Sequence, residues 1–180
     1  MASGSSGASG SEQAVQVRAR VIIQQCLSAK VMVQPRTDTQ EEQHVEIGRG
    51  VMVYICFMKG ATEDMVEKMV KTVLTARLSK TETGKLVSVL DLPGDVLVVP
   101  QSTLGGNLKG KRMQYHRKVN RENGLNLYTK FVQLCRLYMT QSVKCKEQHK
   151  VVEAGTYGNK HETLVFSTLT TGPYTHAIEF

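Results

Sequence analysis

No stretch of this 180-residue chain approaches the roughly 18 apolar residues that a membrane-spanning helix needs. The N-terminus likewise lacks the apolar core of a secretion signal. Glycine is not at position 2, which excludes N-myristoylation, and the closing Ile178-Glu179-Phe180 matches neither a prenylation nor a peroxisomal ending. A cytoplasmic protein with no membrane partner is therefore expected. The four cysteines, Cys26, Cys56, Cys135 and Cys145, form no C-x-x-C pair. Widely spaced among apolar neighbours, they read as buried thiols of a reducing compartment and not as disulfides. A zinc site built from Cys135, Cys145 and His149 would lack its usual anchor, so neither a metal nor a cofactor is expected. The histidines (His44, His116, His149, His161, His176) are scattered and no G-x-S-x-G elbow occurs. A Ser-His-Asp hydrolase is thus unsupported. No internal repeat is visible.

The chain is long enough for one ordinary domain. Residues 1–13 are almost entirely Ser, Gly and Ala and read as a disordered tail, leaving 14–180 to fold. The formal net charge is +7. It is concentrated in one run, where Lys109, Lys111, Arg112, Arg117, Lys118 and Arg121 accompany Tyr115 and His116 with no acidic residue between. Such runs commonly just face water. Phosphate contact is favoured here because the run directly follows a hydroxyl-bearing segment, Pro100-Gln101-Ser102-Thr103-Leu104.

Val15 to Leu27 and, after Ser28, Ala29 to Val33 read as two strands rich in Val and Ile. A polar connection over 35–43 leads to Val45 and Ile47, then through Gly48-Arg49-Gly50 to a strongly apolar central strand, Val51 to Met58. Thr62-Glu63-Asp64 opens a helix whose face carries Met65, Val66, Met69, Val70, Val73, Leu74 and Leu78, with Thr62 as the cap. After a turn at 81–84, Leu86 to Leu90 and Val96 to Val99 read as strands around a tight turn at Leu92-Pro93-Gly94-Asp95. A second helix spans about Glu122 to Met139, with Leu127, Phe131, Leu134, Cys135 and Tyr138 at helical spacing. Ser142 to Glu153, Glu162 to Thr170 and Tyr174 to Phe180 read as strands. The whole is a single α+β domain with a mixed or antiparallel sheet and two main helices.

Gly105-Gly106-Asn107-Leu108-Lys109-Gly110-Lys111 fits G-x-x-x-x-G-K, but Arg112 stands where a P-loop needs Ser or Thr and the next segment is too basic for a buried helix. Nucleotide hydrolysis is rejected. Ser102 and Thr103 lie just past a strand, where amides and hydroxyls can reach a pocket, although a simple turn would use the same residues. Thr171-Gly172-Pro173-Tyr174-Thr175 is a second such segment. Most Gly-Pro pairs only bend the chain. Yet a glycine carbonyl can approach a ligand closely and proline restricts the backbone beside it, so a rigid backbone pair can test a substrate's shape.

Together these two segments resemble the signature pair of the D-aminoacyl-tRNA deacylases, which carry Ser-Gln-Phe-Thr-Leu and Asn-x-Gly-Pro-Val-Thr. The resemblance extends from Val15 onward, through Ile47-Gly48-Arg49-Gly50-Val51 and Leu97-Val98-Val99. Pro100, Ser102, Thr170 and Tyr174 depart from the family pattern in the manner of an animal paralogue branch. The resemblance implies a barrel-like sheet, a homodimer, aminoacyl-tRNA as the partner in place of DNA, and hydrolysis of a mischarged ester as translation proofreading. In the widespread branch a cis Gly-Pro of one subunit enters the pocket of the other and excludes L-amino acids. The paralogue branch holds the pair in trans, which opens room for a small L side chain, so L-alanyl-tRNA(Thr), D-aminoacyl-tRNA and glycyl-tRNA are the implied substrates. Gln101, Ser102 and Thr103 would be the catalytic segment, with Thr103 positioning and not attacking, because no partner base can be named for it. Gly172, Pro173, Tyr174 and Thr175 would bind the substrate, and Lys109, Lys111, Arg112, Arg117 and Lys118 would grip tRNA phosphates. Tyr157 and Phe166 are candidates to stack the terminal adenine. The alternative is a non-catalytic tRNA- or RNA-binding module.

Overall fold

The computed structural model describes residues 16–158 and 166–180. The expected tail and the start of the strand at 162 therefore lie outside the described residues. Val and Ile at alternate positions build β1 (Ala19–Gln34), a single 16-residue strand with Val21, Ile23, Cys26, Ala29 and Val31 facing inward. Ser28 does not divide it as expected. Its neighbourhood is instead a bulge on the side of the last strand, β10 (Phe166–Glu179).

The sheet order is β10, β1, β3 (Gly50–Phe57), β6 (Asp95–Pro100), β9 (Val152–Ala154), with β2 (Gln43–Ile47) paired to the far half of β1. Pairing is antiparallel across β10, β1, β2 and β3 but parallel from β3 to β6 and from β6 to β9. The sheet is thus mixed, as expected, and β3 is central. It also curls nearly closed: the Thr156 hydroxyl, just after β9, donates to the Val33 carbonyl on β1 at 2.8 Å.

Two helices cover one face. α1 (Glu63–Thr75) buries Met65, Val66, Met69, Val70, Val73 and Leu74, and α2 (Arg121–Gln141) buries Leu127, Tyr128, Phe131, Val132, Cys135 and Met139. Each fully buried aliphatic side chain contributes roughly 1.5–3 kcal/mol, which is what holds these amphipathic helices on the sheet. Leu78 lies beyond the end of α1, and Thr62 precedes the helix without a side-chain capping bond. A smaller cluster of Cys26, Ala29, Val31, Ile47, Met52, Leu97 and Val99 fills the opposite face under β2. The buried carboxylate of Asp95 accepts N–H bonds from Gly48 at 2.9 Å and Val151 at 3.1 Å, tying the entrances of β3, β6 and β9 together.

Two expectations fail. Leu86–Val87 (β5) pairs with Ser79–Lys80 (β4), not with β6, because residues 88–93 wind into a turn fixed by Ser88 and Asp91. Ser142 to Glu153 is not a strand: Ser142 Oγ accepts the Cys145 N–H at 3.4 Å and starts a short helix, α3 (Val143–Glu147), leaving only Val152–Ala154 extended.

Candidate active site

The end of β6 carries the first segment singled out in the sequence. Gln101 donates its backbone N–H to Ile55 on β3 at 2.9 Å, and the chain then winds into a single 3₁₀ turn, Ser102–Gly105. That bond uses the Gln101 amide, so it is not free for a ligand. The amides of Ser102 and Thr103 precede the first bond of the turn and donate to no described residue, as the leading N–H groups of a helical turn must. The turn is pinned from behind. Arg20 Nη1 on β1 donates to the carbonyls of Leu104 at 3.0 Å and Gly106 at 3.3 Å, while its Nε pairs with Glu179 at 2.8 Å. The Cys56 thiol also reaches the Ser102 carbonyl, at 3.8 Å.

Beside this turn opens a cavity of about 590 Å³. Its apolar wall is Val31, Ile55, Phe57, Val99 and Pro100, and its polar groups come from Gln101, Ser102, Lys118, Arg121, Thr156 and Tyr157. Volume and mixed lining suit a small organic ligand with a few oriented polar groups. No histidine or carboxylate lines it among the described residues. Cys56 does, but burial pushes its thiol above the ordinary range, with weaker opposition from the Gly105 N–H, Lys118 and Arg20. A neutral thiol is a poor nucleophile at neutral pH. Among the described residues the wall thus carries no attacking side chain paired to a base.

The hydroxyl of Tyr128 bonds the carbonyls of Val98 at 3.0 Å and Gly155 at 2.8 Å, which locks β6 to the strand that delivers Thr156 and Tyr157. Tyr157 packs on the Tyr128 ring, centroids 5.4 Å apart, and burial raises its phenol pKa. Of the expected residues, Gln101, Ser102 and Lys118 meet at the cavity, and Thr103 sits exposed on the turn without lining it. Lys109, Lys111 and Arg112 occupy an exposed hairpin of β7 (Asn107–Lys109) and β8 (Arg112–Gln114), a shape that also rules out the P-loop. Arg117 is exposed and lends its carbonyl to the Lys59 N–H. Of the two candidates for stacking adenine, Tyr157 is part of the cavity wall, whereas the backbone of Phe166 begins β10.

Gly172, Tyr174 and Thr175, with Pro173 between them, are not among the described lining of their own chain's cavity. Nor do they end a strand, as the sequence suggested. They lie within β10, where Gln24 pairs with Thr175 and Cys26 with Thr170, so Thr171 to Tyr174 are looped out opposite the single residue Gln25. Proline is tolerated at such a bulge on an edge strand. Gly172 has φ +57°, and no peptide bond among the described residues is cis. Thr175 Oγ1 bonds the Gln24 side chain and closes the loop on its C-terminal side. Arg20 is a residue beside the cavity that sequence reasoning missed, and Arg121, counted in the basic run, was left out of the set expected to grip tRNA. Arg121 closes the basic run, which was its available signal, but Arg20 acts on a turn more than eighty positions away.

A family model described as D-Tyr-tRNA(Tyr) deacylase matches residues 22–179. The chain belongs to the D-aminoacyl-tRNA deacylase family. Proteins named D-aminoacyl-tRNA deacylase 2 from Gallus gallus and Homo sapiens are 49% and 48% identical to it, each match covering 91% of this chain and 96% or 95% of the relative. A D-aminoacyl-tRNA deacylase from Aquifex aeolicus is 35% identical over 66% of this chain and 75% of its own. A solved structure described as a probable eukaryotic D-amino acid tRNA deacylase superposes with TM-score 0.69 at 25% identity, covering 90% of this chain and 99% of that one. This member is a hydrolase of aminoacyl-tRNA esters, and of the relatives named the animal sequences are the more similar.

Proposed function

We propose that this protein proofreads translation by hydrolysing D-aminoacyl-tRNA and L-alanyl-tRNA(Thr), with glycyl-tRNA as a further substrate. The observation that carries the reading is the pair of amides, Ser102 and Thr103, that donate to no described residue, beside a cavity with no histidine or carboxylate among its described lining. Ester hydrolysis passes through a tetrahedral oxyanion that fixed N–H donors stabilise, and removing one such donor typically costs about 10²–10³ in rate. Gln101 adds a side-chain amide at the same wall. With no base in the described lining, water is activated by the substrate itself, through the ribose 2′-hydroxyl next to the ester. Thr103 then positions and does not attack.

Gly172 and Pro173 act as the shape filter, and the cavity they guard belongs to a second copy of the chain. Their place on β10, away from the described lining of their own subunit's cavity, supports this homodimer. With the pair in trans the two carbonyls turn away from the neighbouring pocket, which leaves space for a methyl side chain of L configuration. Tyr174 and Thr175 hold the loop. Lys109, Lys111, Arg112, Arg117 and Lys118 draw the acceptor arm of the tRNA.

The test is a deacylation time course with L-alanine, D-alanine and threonine each esterified to threonine tRNA. Rapid loss of both alanine esters with threonine spared is the expected result. Loss of the D ester alone would overturn the open filter, and loss of none would leave a tRNA-binding module. Gly172→Ala strains a backbone at φ +57° and crowds the Tyr174 ring, so it should change the ratio of the two alanine rates.

A further inference from the structure

The basic run is divided by the fold into two groups with different surroundings. Lys109, Lys111 and Arg112 ride on the exposed hairpin and are not among the described lining of the cavity beside the turn. Lys118 and Arg121 both line the cavity. Lys118 is held by a β-bridge to Met58, its stem against Gly105 and its ammonium 5.6 Å from the centre of the Tyr115 ring. Arg121, at the first turn of α2, lays its guanidinium over Gly158 next to Tyr157. Neither makes an ion pair with a described residue, and no described carboxylate lines the space they share.

We propose that Lys118 and Arg121 form a cation pair that holds the phosphate joining the last two nucleotides of the tRNA, on the same terminal ribose that carries the ester. This rests on the reading of aminoacyl-tRNA as substrate. An aminoacyl ester has spent its carboxylate and carries a cationic α-amino group, so two cations that pair with no described carboxylate do not suit the amino-acid end. They suit a phosphate, and a guanidinium can meet two of its oxygens at once. The cavity volume leaves room for the nucleoside attached to it. The hairpin lysines then supply a diffuse attraction along the acceptor arm, while Lys118 and Arg121 set the register of the reacting end. Arg121, the last cation of the basic run, is set apart from the hairpin cations only by its place at the cavity.

The test compares binding of two uncharged probes to the intact protein: adenosine, and the dinucleotide CpA, which adds one internucleotide phosphate. The wild type should bind CpA more tightly than adenosine. Arg121→Gln and Lys118→Gln should each lower the CpA-to-adenosine affinity ratio by about tenfold, the typical worth of one charged hydrogen bond. Arg121→Lys should restore part of it, and Lys146→Gln, on α3 and outside the described lining, should leave the ratio as in the wild type. An equal fall for both probes, or no change in the ratio, overturns the phosphate contact. Because binding is read without chemistry, failure of the alanine esters to be hydrolysed would count against the deacylase reading and not against this pair.

Discussion

Tyr157 rests its hydroxyl against the backbone of Gly124, so closely that a β-carbon on Gly124 would overlap it. Glycine near the start of α2 costs the helix about 1 kcal/mol relative to alanine. The cost is accepted where it lets a ring that lines the cavity seat under the helix. Gly124→Ala should therefore destabilise the fold by roughly 1–3 kcal/mol through overpacking, despite the gain in helix propensity. Adding Tyr157→Phe removes the closer of the two clashing atoms, leaving the ring Cζ 2.8 Å from the added β-carbon, and should recover part of the loss. Thermal melts of the two single variants and the double variant check this, and additive losses in the double variant would refute it.

Arg20 is expected to act on rate through the turn it anchors. Its guanidinium holds the Leu104 and Gly106 carbonyls and is itself held by Glu179, so the amides of Ser102 and Thr103 are fixed from the neighbouring strand. Small misplacements of oriented groups cost about 10²-fold in favourable cases. Arg20→Met should lower kcat tenfold or more with a smaller change in KM, and Arg20→Lys, which keeps one donor, should sit between. A change confined to KM would mean that the turn binds tRNA and does not position the reacting ester.

Much of this architecture was written locally. The apolar face of α1 and the run from Val51 fixed a helix and a central strand, and both signature segments were visible as hydroxyl- or Gly-Pro-bearing breaks in apolar runs. Other features depended on distant partners. Val143 and Cys145 alternating with Lys144 and Lys146 imitate a strand, yet Ser142 caps a helical turn and Cys145 is buried against the Leu90 carbonyl. Gly172-Pro173 looked like a strand terminus, but a strand bonded on one side can carry proline in a bulge and continue, which only the pairing of Gln24 and Cys26 with β10 reveals. The cavity lining joins residues from Val31 to Gly158, so no window of sequence contained it.

On the hairpin, Lys109 and Arg112 are paired across the two strands with Lys111 at the turn, all exposed. Exposed cations meet phosphates by releasing condensed counterions, so each lost contact should reduce the slope of log affinity against log salt by roughly 0.7–0.9. Lys111→Ala with Arg112→Ala should weaken tRNA binding at low salt and flatten that slope by about 1–2. Binding of tRNA measured between about 50 and 200 mM salt reads this directly. An unaltered slope would return the hairpin to the solvated loop that charge runs usually are.

Alkaline pH should unfold the protein through its buried thiols. Burial raises Cys135 from an ordinary 9.0 to about 12, with only Arg136 opposing. It raises Cys26 to about 11 against the Gly50 N–H, with Asp95 adding to the rise. A group whose folded pKa is raised stays protonated in the native state, while the unfolded chain releases the proton near 9. Between these values the unfolded state binds fewer protons, so stability is full below about pH 9 and declines as pH climbs towards about 11 and 12. Cys135→Ala opens a small cavity and will lower the melting temperature at every pH, but it removes one titrating group. Its melting temperature should therefore fall less steeply from about pH 9 to 11 than that of the wild type. Parallel curves would mean that the Cys135 thiol ionises alike in the folded and unfolded chain, contrary to its complete burial on the inner face of α2.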